Sequence, residues 1–377
     1  MTKNQKKSVH DMIVLISCLI NHKKPHKNIL DNLEVESLYC VAKKHYLTAM
    51  VAQELENLGI QSKQFSEAKA KAIRRQILFD AQRRQVTDAL EENKIWYMPL
   101  KGCIIQDIYP GIGLRQMSDN DILFDPIRAK DVKIIMESLG FTTGSFGVGN
   151  HDMYFKEPVF TFEMHTGLFG IGSDPKCYEY YKNIKNRLIS EENTSVGYHF
   201  SIEDFYVYMI AHENKHYNGC GTGLRSLLDT YIYLRHYDKK LDFVYIDAEL
   251  EKLGLIDFEK QNRDLAFNLF DGKRLTDDNR KMFAYMVESG VYGTVDNQVA
   301  HRMQKLTGNG AVTALKKIKY YLLRTFPDSE TLLPYYPPAK YKVLLPFVWL
   351  YRLVKALTIK RKAVLKEVSI IESLKRL

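Results

Sequence analysis

The fold is decided by residues 95–124, IWYMPLKGCIIQDIYPGIGLRQMSDNDILF. Ile95 to Met98 is short and apolar enough for a buried strand. Leu100-Lys101-Gly102 marks a tight turn into a short helix, Gly102 to Ile108, which Tyr109-Pro110-Gly111 stops. Asp119 to Phe124 reads as a second strand, anchored by apolar Ile122, Leu123 and Phe124. Side chains two apart on a strand share a face, so Asp119 and Asp121 point into one small volume. Two crowded carboxylates repel unless a proton or a cation sits between them. Oxygen donors so arranged suit a hard divalent cation such as Mg²⁺, or Mn²⁺. The Lys101-Gly102 turn leaves free backbone N–H groups at a helix start, where phosphate is favoured.

Downstream, Pro126 opens a helix that runs to Leu139 and closes at Gly140. His151 to Lys156 and Val159 to Thr166 alternate as an antiparallel pair, with Glu157-Pro158 at the turn. On the second of these strands Glu163 and His165 share a face. Residues 1–93 read as helices, the longest running from an N-cap at Ser66 to Glu92. Residues 198–377 are helical again, apart from a proline-rich, aromatic stretch at 327–346 that is expected to be extended. The predicted architecture is α+β: a short mixed sheet with flanking helices, residues 94–197, embedded in a mostly helical chain.

Composition narrows the partners little. The 377 residues are 45% hydrophobic and 26% charged, which is ordinary for a globular protein. A net charge of +9 suits an anionic ligand, a nucleic acid or a membrane surface, and requires none of them. Five scattered cysteines with no C-x-x-C spacing argue against a disulfide framework or a cysteine zinc site, and fit a reducing cytoplasm. Lys3, Lys6 and Lys7 before the apolar run Met12 to Ile20 resemble the start of an export signal. Asp11 interrupts it and no small-x-small pattern follows, so an amphipathic helix ending near His22 is expected. Val343 to Ile359 is short for a bilayer crossing and contains Pro346, Arg352 and Lys355, so no transmembrane segment is expected. With Lys360-Arg361-Lys362 behind it, this segment can make a peripheral contact with an anionic membrane, or dock on the protein's own core.

Strand, Lys-Gly turn, helix, Asp119-x-Asp121 strand, helix and a further strand with an acidic residue is the order of a minimal polymerase-type nucleotidyltransferase. The string LKGCIIQDIYPGIGLRQMSDNDILF resembles the signature of the uncharacterised nucleotidyltransferase family within the DNA polymerase β superfamily. The matching positions are Leu100-Lys101-Gly102, Tyr109-Pro110, Arg115, Asp119, Asp121 and Glu163-Met164-His165. AHENKHYNGCGTGLRSLLD, residues 211–229, resembles the family's helical region with paired histidines and R-x-x-x-D, and residues 334–352 resemble its C-terminal tail.

The resemblance implies Mg²⁺-dependent transfer of a nucleoside monophosphate from an NTP, foremost ATP, to a sugar phosphate, a protein or an RNA end. Asp119, Asp121 and Glu163 would hold the metal, and Lys101 and the Gly102 amide would contact phosphate. Arg115 would reach a phosphate or pair with Asp119. His165 would serve the nucleotide site or be a hydrogen-bonded core histidine. His212, His216, Arg225 and Asp229 would line the pocket. Two departures stand out: Asn120 occupies a position that is usually apolar, and Lys-Gly replaces the commoner Gly-Ser of the turn. A binding module without catalysis would use the same pocket.

His212-Glu213-Asn214-Lys215-His216 also matches H-E-x-x-H, in which two histidines one helical turn apart hold Zn²⁺ and the glutamate acts as general base. Gly219 fits the longer form of that motif, but Thr222 stands where a third ligand belongs. Asp229 or Glu249 would have to supply it for a zinc peptidase.

Overall fold

A helix of thirty residues, Lys63–Glu92, is the rod against which the sheet is built. The computed structural model describes residues 2–172, 174–308, 310–333 and 335–374. Five strands, β1 (Tyr97–Pro99), β2 (Asn120–Phe124), β3 (Thr142–Ser145), β4 (His151–Lys156) and β5 (Phe160–His165), form one sheet. Their spatial order is β1-β2-β5-β4-β3. β2 and β5 run parallel and the other neighbours antiparallel, which gives the expected α+β architecture.

Alternation along the strands divides the sheet into two faces. Ile122, Phe124, Phe162, Met164 and Tyr154 pack against Val86 and Leu90 of the rod and against Val132 and Met136 of the Ala129–Ser138 helix. The other face carries Asp121, Leu123, Glu163 and His165. The β2–β5 register sets Asp121 directly beside Glu163 and Leu123 beside His165. A larger core joins Leu123 to helices from both ends of the chain, including Lys3–Ile20, Ile202–Tyr217 and Leu224–His236.

Several boundaries differ from the sequence reading. The rod begins at Lys63 rather than behind Ser66, because Ser62 occupies the N-cap position. The first strand is shifted to Tyr97–Pro99, and the expected Gly102–Ile108 helix is one α-turn, Gly102–Ile105, followed by a 3-10 turn, Gln106–Ile108. The 327–346 stretch is not extended: Ser329–Leu332 is helical, and Pro337–Lys340 and Lys342–Leu344 are 3-10 turns. Proline at the first positions of such turns is compatible with them, since its missing N–H has no helical partner there. Pro334, the start of the tail-like segment, lies outside the described residues. Edge strand β3 was not expected, because Thr-Thr-Gly-Ser offers no large side chain to mark a buried face. No helix among the described residues is long and apolar enough to cross a membrane.

One buried ion pair ties the sheet's approach loop to the C-terminal helices. Arg115 donates from Nε and Nη2 to the two oxygens of Asp229, both at 2.8 Å, and Tyr109 donates to Asp229 Oδ1 at 2.7 Å. Both charged residues are buried. Arg115→Met is expected to destabilise the fold by roughly 3–5 kcal/mol, because it strands a buried carboxylate. Arg115→Met/Asp229→Leu should recover most of that loss. Urea unfolding measures both; a single variant within about 0.5 kcal/mol of the parent would refute the assignment.

Candidate active site

The site begins at a strained turn. Lys101 has φ +42°, a left-handed conformation that costs a non-glycine residue about 1–3 kcal/mol. Leu100 N–H donates to the Asp121 carbonyl at 2.9 Å, which locks the turn beside β2. A Cβ at Gly102 would lie 2.5 Å from Met117 Sδ and 2.6 Å from Arg115 Nη1, so a larger residue there would displace one of these side chains. The result holds Lys101 Nζ 3.7 Å from Asp121 Oδ2.

Three carboxylates and two imidazoles meet at the tips of β2, β4 and β5. His165 Nε2 lies 3.0 Å from Asp121 Oδ1 and 3.6 Å from Glu163 Oε2. His151 Nε2 lies 3.8 Å from Glu163 Oε2, and the two histidine rings are 5.2 Å apart. Asp119 stands just before β2, half-buried, in the electrostatic field of Asp121 and Glu163.

These groups are shifted in different directions. Burial, then Asp121 and Glu163, push Asp119 up to about 6, against the pull of Lys101. Burial would raise Asp121 too, but Lys101 and the His165 hydrogen bond outweigh it and hold this carboxyl well below its usual range. The His165 hydrogen bond lowers Glu163 against an opposing burial effect. Burial favours neutral His165, yet its bonds to Asp121 and Glu163 prevail and raise its pKa. Burial keeps His151 low despite Glu163.

The Ile202–Tyr217 helix supplies the facing wall. Tyr208, His212, Lys215 and His216 recur at intervals of four, three and one, so they form one stripe. Tyr208 is buried and feels Asp121 and Glu163. His212 and His216 approach to 3.0 Å between their Nε2 atoms. Desolvation within the cleft, then Lys101 and Lys215, bring His216 down to about 4. Lys215 is likewise lowered, first by desolvation and then by Lys101, which places the two ammonium groups in one field.

Sequence-expected residues fall into three groups. Lys101, Gly102, Asp119, Asp121, Glu163 and His165 come together. His165 is a buried partner of the carboxylates rather than a group directed at phosphate. Arg115 pairs neither with Asp119 nor with a free space; its fork is taken by Asp229, and Asp229 is thereby removed from any pocket lining. Arg225 donates to the Gln116 carbonyl at 2.6 Å and remains within the field of Asp119. The H-E-x-x-H motif does not assemble a peptidase site. Glu213 is buried beside Ser226, Asn262 and Thr230, where burial pushes it up to about 7. The other suggested ligand, Glu249, is engaged by Tyr180, Arg187 and Lys252.

The donor set fits a divalent cation. Asp119, Asp121 and Glu163 offer oxygens of the kind Mg²⁺ takes. His151, Glu163 and His165 present ligand atoms within 4.8 Å of one another, and ring nitrogens favour Mn²⁺ or a later metal over Mg²⁺. Among known proteins, the sequence model of the uncharacterised nucleotidyltransferases matches residues 31–271, which include every residue of both walls. The chain belongs to that family, and a general role in nucleotidyl transfer follows from the membership. No curated protein and no solved structure matches the chain.

His151, Lys215 and Tyr208 were not singled out from the sequence. The hairpin is centred on Pro158, which sets His151 opposite His165, whereas a two-residue Glu157-Pro158 turn would have set it opposite Met164. The helical stripe held a signal for Tyr208 and Lys215.

Asp119 gives a pH test. Its folded pKa of about 6 exceeds the unfolded value of about 4, so the protonated form favours folding, and that contribution is lost as pH rises through 6. Without added divalent ions, Asp119→Asn is expected to raise the melting temperature by roughly 2–4 °C at pH 7.5. The gain should shrink toward zero near pH 4.5. A pH-independent difference in thermal melts contradicts the crowding argument.

Proposed function

We propose that the protein transfers a nucleoside monophosphate from an NTP, ATP foremost, to an acceptor hydroxyl, using a divalent cation held by Asp119, Asp121 and Glu163. The carrying observation is the convergence of these carboxylates beside the Lys101-Gly102 turn, with Lys215 across the cleft. A bound cation would polarise the phosphoryl oxygens and neutralise the departing pyrophosphate. Lys101 and Lys215, which repel each other, accept the negative charge of the triphosphate. Neutral His212 and His216, joined through their Nε2 atoms, keep one N–H between them for its oxygens and add no repulsion to Lys215. The Gly102 N–H group stands at the helix start, where an oxygen of the chain of phosphates can approach. His151 and His165 favour Mn²⁺ over Mg²⁺ in this reading.

In this reading residues 94–197 are the catalytic unit, and helical regions 1–93 and 198–377 shape the cleft. A reducing, cytoplasmic setting fits the five free cysteines. The acceptor is a sugar phosphate, a protein side chain or an RNA end.

Calorimetry with each of the four NTPs, with Mn²⁺ or Mg²⁺, tests the donor half. Wild type is expected to bind at least one NTP only when metal is present, and Asp119→Ala/Asp121→Ala to abolish this. Lys215→Ala, on an exposed side chain, should weaken NTP binding about tenfold while leaving the fold intact. Absence of metal-dependent binding would sink the proposal. Binding without pyrophosphate release, across sugar-phosphate, protein and RNA acceptors, would mark a non-catalytic nucleotide-binding module instead.

A further inference from the structure

The C-terminal helices present a surface that the catalytic cleft does not use. The Leu345–Leu357 helix is held to the protein along one side only. Val348 is buried with Leu332 and Ala339. Trp349 donates its indole N–H to the Pro327 carbonyl at 2.9 Å. Arg352 donates to the carbonyls of Thr325 and Arg324, at 3.3 and 3.2 Å. Turned away from these anchors is a second apolar stripe: Val343, Phe347, Leu350, Tyr351, Val354 and Leu357. Spacings of three and four put these side chains on one face of the helix and of the turn before it. Phe347 and Leu357 are 69% and 71% exposed, so the stripe is uncovered rather than grazed by solvent. None of its members belongs to a buried cluster among the described residues; Tyr351 alone meets the edge of one, its ring 6.1 Å from that of half-buried Tyr336.

Charge says what covers it. Residues 340–366 contain eight Lys and Arg and not one Asp or Glu. Lys340 and Lys342 precede the stripe, and Lys360, Arg361, Lys362 and Lys366 follow it, all exposed. A nucleic acid would answer the charge but leave the aliphatic groups in water. A folded acidic partner would need a groove cut for a convex helix. The interface of an anionic bilayer offers both halves: acyl chains for the stripe, and headgroups for cations on long, flexible stems. Thirteen helical residues rise about 20 Å, short of the roughly 30 Å hydrocarbon core, so the helix would lie in the interface and not span it.

We propose that the Leu345–Leu357 helix and the basic residues on either side of it seat this protein on an anionic lipid surface. Neither the cleft nor its chemistry enters the argument, so failure of nucleotide binding leaves this inference standing, and the reverse also holds.

Co-sedimentation of the full chain with vesicles provides the test. Phosphatidylcholine vesicles containing phosphatidylglycerol are expected to bind at least about tenfold more protein than phosphatidylcholine alone, since each headgroup-facing cation adds favourable free energy. The excess should fall as salt is raised, because surface charges are screened. Phe347→Glu/Leu350→Glu should abolish binding, and Lys360→Glu/Arg361→Glu/Lys362→Glu should remove the preference for phosphatidylglycerol. All five positions are exposed, and unchanged thermal melts would show that the variants still fold. No binding to either vesicle, or equal binding to both, overturns the proposal. A dimer in sedimentation analysis that Phe347→Glu/Leu350→Glu dissociates, without vesicle binding, would assign the stripe to a second copy of the chain. Retention on single-stranded RNA without vesicle binding would assign the cations to nucleic acid.

Discussion

The salt bridge between Arg115 and Asp229 is the constraint on which the cleft depends. Two charges withdrawn from water are tolerated only with full hydrogen bonding, which the two-pronged contact and the Tyr109 hydroxyl supply. Arg115 stands four residues before Asp119, so fixing one end of the loop limits where the first carboxylate can go. Two of the three intervening carbonyls are then taken up. Arg75 of the long rod donates to Ser118 at 2.6 Å, and Arg225 donates to Gln116. The Gln116 side chain accepts from Thr48 and from the Ala49 N–H group at the start of the Thr48–Asn57 helix. Three helices, two before the sheet in sequence and one after it, thus hold the loop. A small sheet surrounded by so many helices is explained by this: β2 alone could not set Asp119, which lies outside its ladder.

Asn120 shows the same economy on the opposite face. The sequence marks it as a polar residue where an apolar one is usual. It is fully buried, accepting from Arg83 Nη1 at 3.0 Å and donating toward the Phe79 carbonyl. The polar position therefore pins β2 to the rod, and Arg83 remains hydrogen-bonded in a crowded setting. A departure from the usual pattern is here a second anchor for the strand between the two aspartates.

Much of the fold was legible because its signals are local. The turn at Leu100-Lys101-Gly102, the apolar close of β2 and the hairpin about Glu157-Pro158 each declare themselves within a few residues. The face shared by Glu163 and His165 follows from alternation alone. Arg115 was not legible in the same way. Its partner lies over a hundred residues away, and a guanidinium can reach many places until the loop is fixed. His165 was likewise ambiguous, since only the parallel β2–β5 register decides that it meets Asp121. The rod began a turn early because its helix formers tolerate Ser66 inside, and propensity marks helix interiors better than ends. The proline-rich stretch misled for a related reason: proline ends long helices but opens short turns.

His165 has a consequence for how the cleft is assembled. It lies between Asp121 and Glu163, and its bonds to both carboxylates favour its charged form against the effect of burial. Three neighbouring acids would otherwise drive β2 and β5 apart at their tips. The His165 hydrogen bond and the Lys101 charge offset that repulsion from within the protein. A cation held by Asp121 and Glu163 would compete with His165 for the same carboxylate oxygens.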